Sequence, residues 1–345
     1  MTAQGAAIPP AVSRLRELAL AAAGAAAVRA AARLGVADAL GDSPATVAEL
    51  AAATHTEPDT LARLLRALAC REIFAETEDG RFTHTESSLL LREDAQRSLK
   101  YTSLWATEPW TWTLWGHLDE AVRTGKNVFD ELYGMDFFTY LHTDADGTAS
   151  AKIFDKAMTQ SSQLSARNIA DALDLSGARR VVDIAGGQGL VLATLLEKYP
   201  ELSGTLLELP NVIGNVDSRL AEGGSLAGRT ELVPGDCRYE IPVRADVYVL
   251  KNVLEWDDDS TIGTLRQVAA AAEPGARVLV IENIIDGSSE AGFTTAMDML
   301  LLLNVGGRKH TLDGLTGLIE KSGLTVGAVT GINSYLQMIE ATVPG

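Results

Sequence analysis

Cysteine is scarce in this 345-residue chain: only Cys70 and Cys237 occur, far apart, with no CxxC pair and no Cys/His cluster. That speaks against a structural zinc site, and two unpaired thiols fit a reducing cytoplasm. Basic residues are also in deficit, 29 Lys and Arg against 46 Asp and Glu, for a net charge of −17. Such a surface repels phosphate backbones and anionic lipid, so neither nucleic acid nor membrane is an expected partner. A small neutral or cationic ligand is not repelled. Long apolar runs are missing too. "LALAAAGAAAVRAAARLGV" is interrupted by Arg29 and Arg33 and reads as a soluble helix, because alanine is the best helix former and only weakly apolar. "MDMLLLLNVGG" is far too short to span a bilayer. Carboxylates are plentiful, but no spaced oxygen-ligand pattern accompanies them, and no metal is expected.

What is present divides into three stretches: 1–100, 101–165 and 166–345. The first is helical, followed by "IFAETEDGRFTHT", whose alternation around Asp79-Gly80 predicts a hairpin. Ser43 and Thr56 are candidate N-caps, with Pro44 and Pro58 in the first turns. Helices plus a hairpin suggest a winged helix. With no basic recognition helix, it reads as a dimerisation or substrate-capping module rather than a DNA reader. The second stretch is a helical linker or lid holding four of the five tryptophans. Aromatic and Met side chains there are core first and candidate substrate contacts second. Trp105, Phe154 and Met158 are chosen for the pocket, with Met297, Asn304 and His310 from farther on; His117 and His142 are weaker candidates.

From 178 onward apolar strands alternate with helices, which predicts an α/β, Rossmann-like parallel sheet covered on both faces. The end, "GLTVGAVTGINSYLQMIEAT", predicts an antiparallel pair around Gly331-Ile332-Asn333. The first strand runs into "AGGQG", making Gly186, Gly187 and Gly189 candidates for close ligand approach. The second ends in "LLELP", placing Glu208 where an acid accepts both ribose hydroxyls. A dinucleotide fingerprint fails at Leu192, where GxGxxG needs its third glycine. A tight glycine turn plus an acid is enough for S-adenosylmethionine. In "PGDCRYE", Asp236 is placed to meet the adenine amino group, with Cys237 beside the ring.

These motifs, in this order and with the "GGRKHT" segment, resemble the S-adenosylmethionine-dependent O-methyltransferases of plant and bacterial secondary metabolism, actinobacterial natural-product enzymes in particular. The resemblance spans nearly the whole chain. It implies a homodimer in which each N-terminal domain helps to close its partner's pocket. It also implies cofactor contacts from Asp183, Gly187, Glu208, Asp236, Cys237 and Lys251.

Two departures bear on the chemistry. The family's KxVLHDW segment carries a His four residues after the Lys, which takes a proton from the substrate hydroxyl. Here Lys251 is followed at that distance by Glu255. The family's acid in the "GGRKHT" motif is replaced by Lys309, while a second supporting acid, Glu282, is kept. In an apolar pocket Glu255 would be a better base; paired with Lys309 it would be an orienting group. Asp257, Asp258 and Asp259 read as the cap of the next helix, with Asp259 or Ser260 capping its amides. The expected activity is methyl transfer to a small aromatic natural product, oxygen favoured and carbon or nitrogen open. The alternative is a cofactor-binding relative that performs hydroxylation, decarboxylation or a pericyclic step.

Overall fold

The computed structural model describes residues 8–287 and 292–345. The chain forms two compact units, Met1–Glu108 and Pro109–Gly345, so the stretch 101–165 is divided between them.

In the first unit the helix Pro58–Ala69 buries Leu61, Leu65 and Leu68, spaced four and three residues apart on one stripe. They pack with Leu50, Phe74 and Phe82, the latter two from a hairpin of β1 (Phe74–Glu76) and β2 (Phe82–His84). Gly80, at φ +77°, turns the hairpin as the Asp-Gly pair predicts. The caps differ from expectation. Thr46, not Ser43, caps Val47–Thr54 in a reciprocal box with Glu49. The cause is local: Ala45 exchanges backbone hydrogen bonds with Phe82 at 3.0 and 2.8 Å, which keeps the chain extended past Ser43. Glu57, not Thr56, caps Pro58–Ala69, because the Thr56 amide closes the preceding helix by donating to Ala51 at 2.9 Å. The Arg29 guanidinium bonds the buried Glu108 carboxylate at 2.7 Å.

The second unit is built on a seven-stranded sheet: β3 (Arg180–Ile184), β4 (Ser203–Glu208), β5 (Thr230–Pro234), β6 (Val247–Lys251), β7 (Arg277–Asn283), β8 (Thr325–Gly331) and β9 (Leu336–Thr342), in the order β5-β4-β3-β6-β7-β9-β8. β3 to β7 pair in parallel, while β9 runs antiparallel to β7 and to β8 at the edge. The chain leaves β3 toward β4 and returns on its other side at β6. That reversal opens a crevice at the carboxyl ends of the strands. Strand residues fill two apolar clusters, one including Val181, Leu206 and Val249, the other Val182, Leu207 and Leu250. These alternate along each strand, as a sheet covered on both faces requires.

Candidate active site

The glycine turn follows β3. Gly187 sits at φ +61°, which a side chain rarely tolerates, and none of the described residues lies within 4 Å of where its Cβ would be. The turn therefore opens onto free space. The Glu208 carboxylate, at the end of β4, closes it from one side: the Gly187 amide donates to Oε2 at 2.9 Å and the Leu209 amide to Oε1 at 2.7 Å. Burial pushes Glu208 above the ordinary glutamate value, with the two amides opposing. Gly186 lies over the Asp183 carboxylate, 2.4 Å from where a Cβ would stand. Burial pushes Asp183 up to about 7, against the pull of Lys251. Its Oδ2 is buried without a hydrogen-bond partner among the described residues. Gly189 precedes the helix Leu190–Lys198.

The long helix Ala145–Ala172 reaches this turn. Thr159 donates to Gln188 Oε1 at 2.6 Å, and Lys251 Nζ meets Ser162 Oγ at 3.5 Å. Burial lowers Lys251 below the ordinary lysine value, with Glu282, Asp183 and Glu255 opposing. Asp236 is held by Arg238, whose Nη2 donates to Oδ2 at 2.6 Å; burial works against the Asp236 charge, but Arg238 keeps it below the ordinary aspartate value. Cys237 is buried, and its thiol is pushed up to about 12. An open turn, a buried carboxylate with lone pairs to spare and the orphaned Asp183 oxygen fit a ligand that brings hydroxyls and positive charge.

Glu255 follows β6. Glu282, at the end of β7, uses Oε1 to accept from the Val253 and Leu254 amides at 2.9 and 3.0 Å. Its Oε2 faces Lys309 Nζ at 3.4 Å, and Lys309 Nζ bonds Glu255 Oε1 directly. Burial pushes Glu282 up to about 7, with Lys309 opposing. Burial works against the Lys309 ammonium too, but Glu255 and Glu282 outweigh it and hold it above the ordinary lysine value. The backbone reinforces the pair. The Arg308 amide donates to Glu255 O at 3.1 Å and the Lys309 amide to Asp298 Oδ1 at 2.7 Å. Gly307 makes this approach possible, since a Cβ there would lie 1.8 Å from Glu255 O. Asp257, two residues before the expected Asp259 and three before Ser260, caps Asp258–Ala271 by accepting from the Ser260 amide at 3.0 Å. The extended Asp257 backbone, at ψ 163°, lets the helix begin at once behind it.

The structure thus brings Glu255, Glu282 and Lys309 together, and gathers Asp183, Gly186, Gly187, Glu208 and Lys251 around the strand ends. Phe154 and Met158 lie half-buried on the long helix, Phe154 against Phe137 at 5.8 Å between ring centres. Met297 and Asn304 lie on Gly292–Val305, where Asn304 Oδ1 is buried without a partner among the described residues, as is His310 Nε2 beyond it. Trp105 belongs to the first unit, where it lies buried at the end of the helix Lys100–Trp105. Thr159, Ser162, Gln188, Arg238 and Asp298 were not singled out from sequence. The polar 155-159-162 spacing on an otherwise mixed helix was the available signal.

Residues 115–325, more than half of the chain, match the O-methyltransferase domain. This chain belongs to that family. Residues 17–94 match the O-methyltransferase dimerisation domain. Among relatives of this O-methyltransferase, the mitomycin biosynthesis 6-O-methyltransferase of Streptomyces lavendulae is 39% identical over 302 residues, covering 87% of this chain and 85% of that protein. The solved mitomycin 7-O-methyltransferase MmcR is 36% identical with a TM-score of 0.87, covering 96% of this chain and 98% of that one. NcsB1, an O-methyltransferase from neocarzinostatin biosynthesis solved with S-adenosylmethionine and 2-hydroxy-5-methyl naphthoic acid, is 34% identical with a TM-score of 0.77, covering 93% of this chain and 96% of that one.

Proposed function

We propose that this O-methyltransferase uses S-adenosylmethionine to methylate a ring hydroxyl of an aromatic natural-product intermediate. The observation that carries the reading is the Glu208 carboxylate drawn against the Gly187 amide at the strand ends, beside an open turn. When bound, the cofactor supplies a methyl group made electrophilic by its sulfonium. In this reading Glu208 accepts from the ribose hydroxyls with its remaining lone pairs. Asp236 and Cys237 border the adenine, while Asp183 and Lys251 shape the floor below the turn. Phe154, Met158, Met297, Asn304 and His310 line the acceptor side. Glu255 Oε2 receives the hydrogen bond, and then the proton, of the acceptor hydroxyl. Holding the acceptor in line supplies much of the rate, because the leaving group needs little help. Relatives named as methyltransferases support this over hydroxylation, decarboxylation or a pericyclic step.

A homodimer accompanies the reading. Val12, Leu15 and Leu18 recur at helical spacing on Pro10–Ala19, and Leu15 is 69% exposed. An apolar stripe of this kind on a dimerisation domain supports burial against a second copy. Unpaired thiols at Cys70 and Cys237 support a cytoplasmic setting. Among the described residues no helix is long and apolar enough to cross a membrane.

Incubation with methyl-labelled S-adenosylmethionine and a panel of phenolic metabolites tests the function. Label in a product ether is expected. Product formed with the cofactor intact would instead establish the non-methylating alternative.

A further inference from the structure

Glu255, Lys309 and Glu282 form a graded column. The Lys309 and Glu282 side chains are each 4% exposed, and the Glu255 side chain is 19% exposed. The ammonium is therefore sealed behind the outer carboxylate. Glu282 is fixed by two amides and Lys309 by its bonds to both acids. Glu255 Oε1 is taken by Lys309, whereas Oε2 has no hydrogen-bond partner among the described residues. The charge presented outward is negative, although a cation lies one contact behind it.

We propose that Lys309 is a positioning residue that turns one oxygen of the Glu255 carboxylate toward the acceptor, and that the site thereby selects neutral hydrogen-bond donors over acceptors carrying a negative charge beside the reacting group. This deepens the methyltransferase reading and rests on its placement of the acceptor. The physical ground is simple. A neutral O–H or N–H satisfies the free oxygen, while an acceptor carboxylate meets a like charge in a partly desolvated place. The other charged or titratable groups around the pair do not reverse this. They are Glu282 on β7, Lys251 at the end of β6, Asp298 on Gly292–Val305, Asp258 at the start of the helix it opens, and the neighbouring Arg308 and His310. Lys251 is half-buried and neighbours Asp183 as well as Glu282, and Arg308 lies 3.7 Å from Asp258.

The test is binding of 1-naphthol and 1-hydroxy-2-naphthoate, one ring with and without a carboxylate, measured by calorimetry on the full chain with S-adenosylhomocysteine present. Wild type is expected to bind the neutral ring at least tenfold tighter, and Glu255→Gln to bring the two within about threefold. In Lys309→Met, which cannot bond Glu255 Oε1, naphthol binding weakens at least tenfold, and Lys309→Arg restores it. Equal affinities in wild type, binding of neither ring at millimolar concentration, or equal naphthol affinity in wild type and Lys309→Met would overturn the proposal. Methyl transfer is read separately by mass. A preserved preference with no transfer sinks the methyltransferase reading and leaves this one standing.

Discussion

Replacing Gly307 with alanine drives a methyl group into the backbone of the Glu255 segment. The added Cβ would stand 1.8 Å from Glu255 O and 2.9 Å from its carbonyl carbon. Ordinary contact begins at 3.4 Å, so the two strands of chain must separate by about 1.6 Å. The Arg308 amide, now 3.1 Å from Glu255 O, then loses its acceptor. The lost bond costs about 1 kcal/mol and the overpacking about 1–3 kcal/mol. A destabilisation of about 2–4 kcal/mol lowers Tm by roughly 5–12 °C in a unit of this size. Lys309 moves with Gly307, so its bond to Glu255 loosens although neither residue has changed. Calorimetric melting and initial-rate kinetics on the same preparation check both effects. A Tm within two degrees of wild type together with unchanged kcat would show that the two segments are not in the contact described.

Glu208→Ala removes the carboxylate that holds the Gly187 amide. It should weaken S-adenosylmethionine binding about ten- to hundredfold by calorimetry, and an unaltered Kd would mean the ribose lies elsewhere. Asp183 rises on folding from its ordinary 3.8 to about 7, so the unfolded chain gives up this proton first. Stability therefore falls as pH climbs between those values and is level above them. At 1.36 kcal/mol per pH unit the loss is on the order of 4 kcal/mol, and Asp183→Asn, with no proton to lose there, escapes it. The plot of Tm against pH should flatten over that interval in the variant, and an unchanged slope would refute the assignment. Arg29→Met removes the guanidinium from the Glu108 carboxylate and the Leu104 carbonyl, and should lower the midpoint of the first unit in chemical denaturation. Leu15→Asp with Leu18→Asp should convert a dimer to a monomer in sedimentation, and a wild-type monomer would refute the apolar stripe as its interface.

The parallel sheet and its antiparallel ending were legible because strand cores read as continuous apolar runs and turns carry glycine. Glycine turn and Glu208 were legible for the same reason: a strand end fixes where the next residue points. Cap positions lie three residues from expectation at Thr46 and one at Glu57, because long-range backbone pairing at Ala45 and chain closure at Ala51 outrank local cap preference. Trp105 falls in the first unit, and no local pattern tells which unit a tryptophan joins. The Glu255 and Lys309 exchange was visible only as two departures from a motif, 54 residues apart. That they compensate each other needed Gly307, which brings the two segments together.

The buried thiol at Cys237 has a chemical consequence for an enzyme that handles an alkylating reagent. Thiolates are soft nucleophiles and accept methyl groups readily. With burial pushing its ionisation up to about 12, Cys237 stays a thiol at neutral pH. In the proposed placement of the cofactor, sulfur therefore borders the electrophile in a form that does not compete for the methyl group.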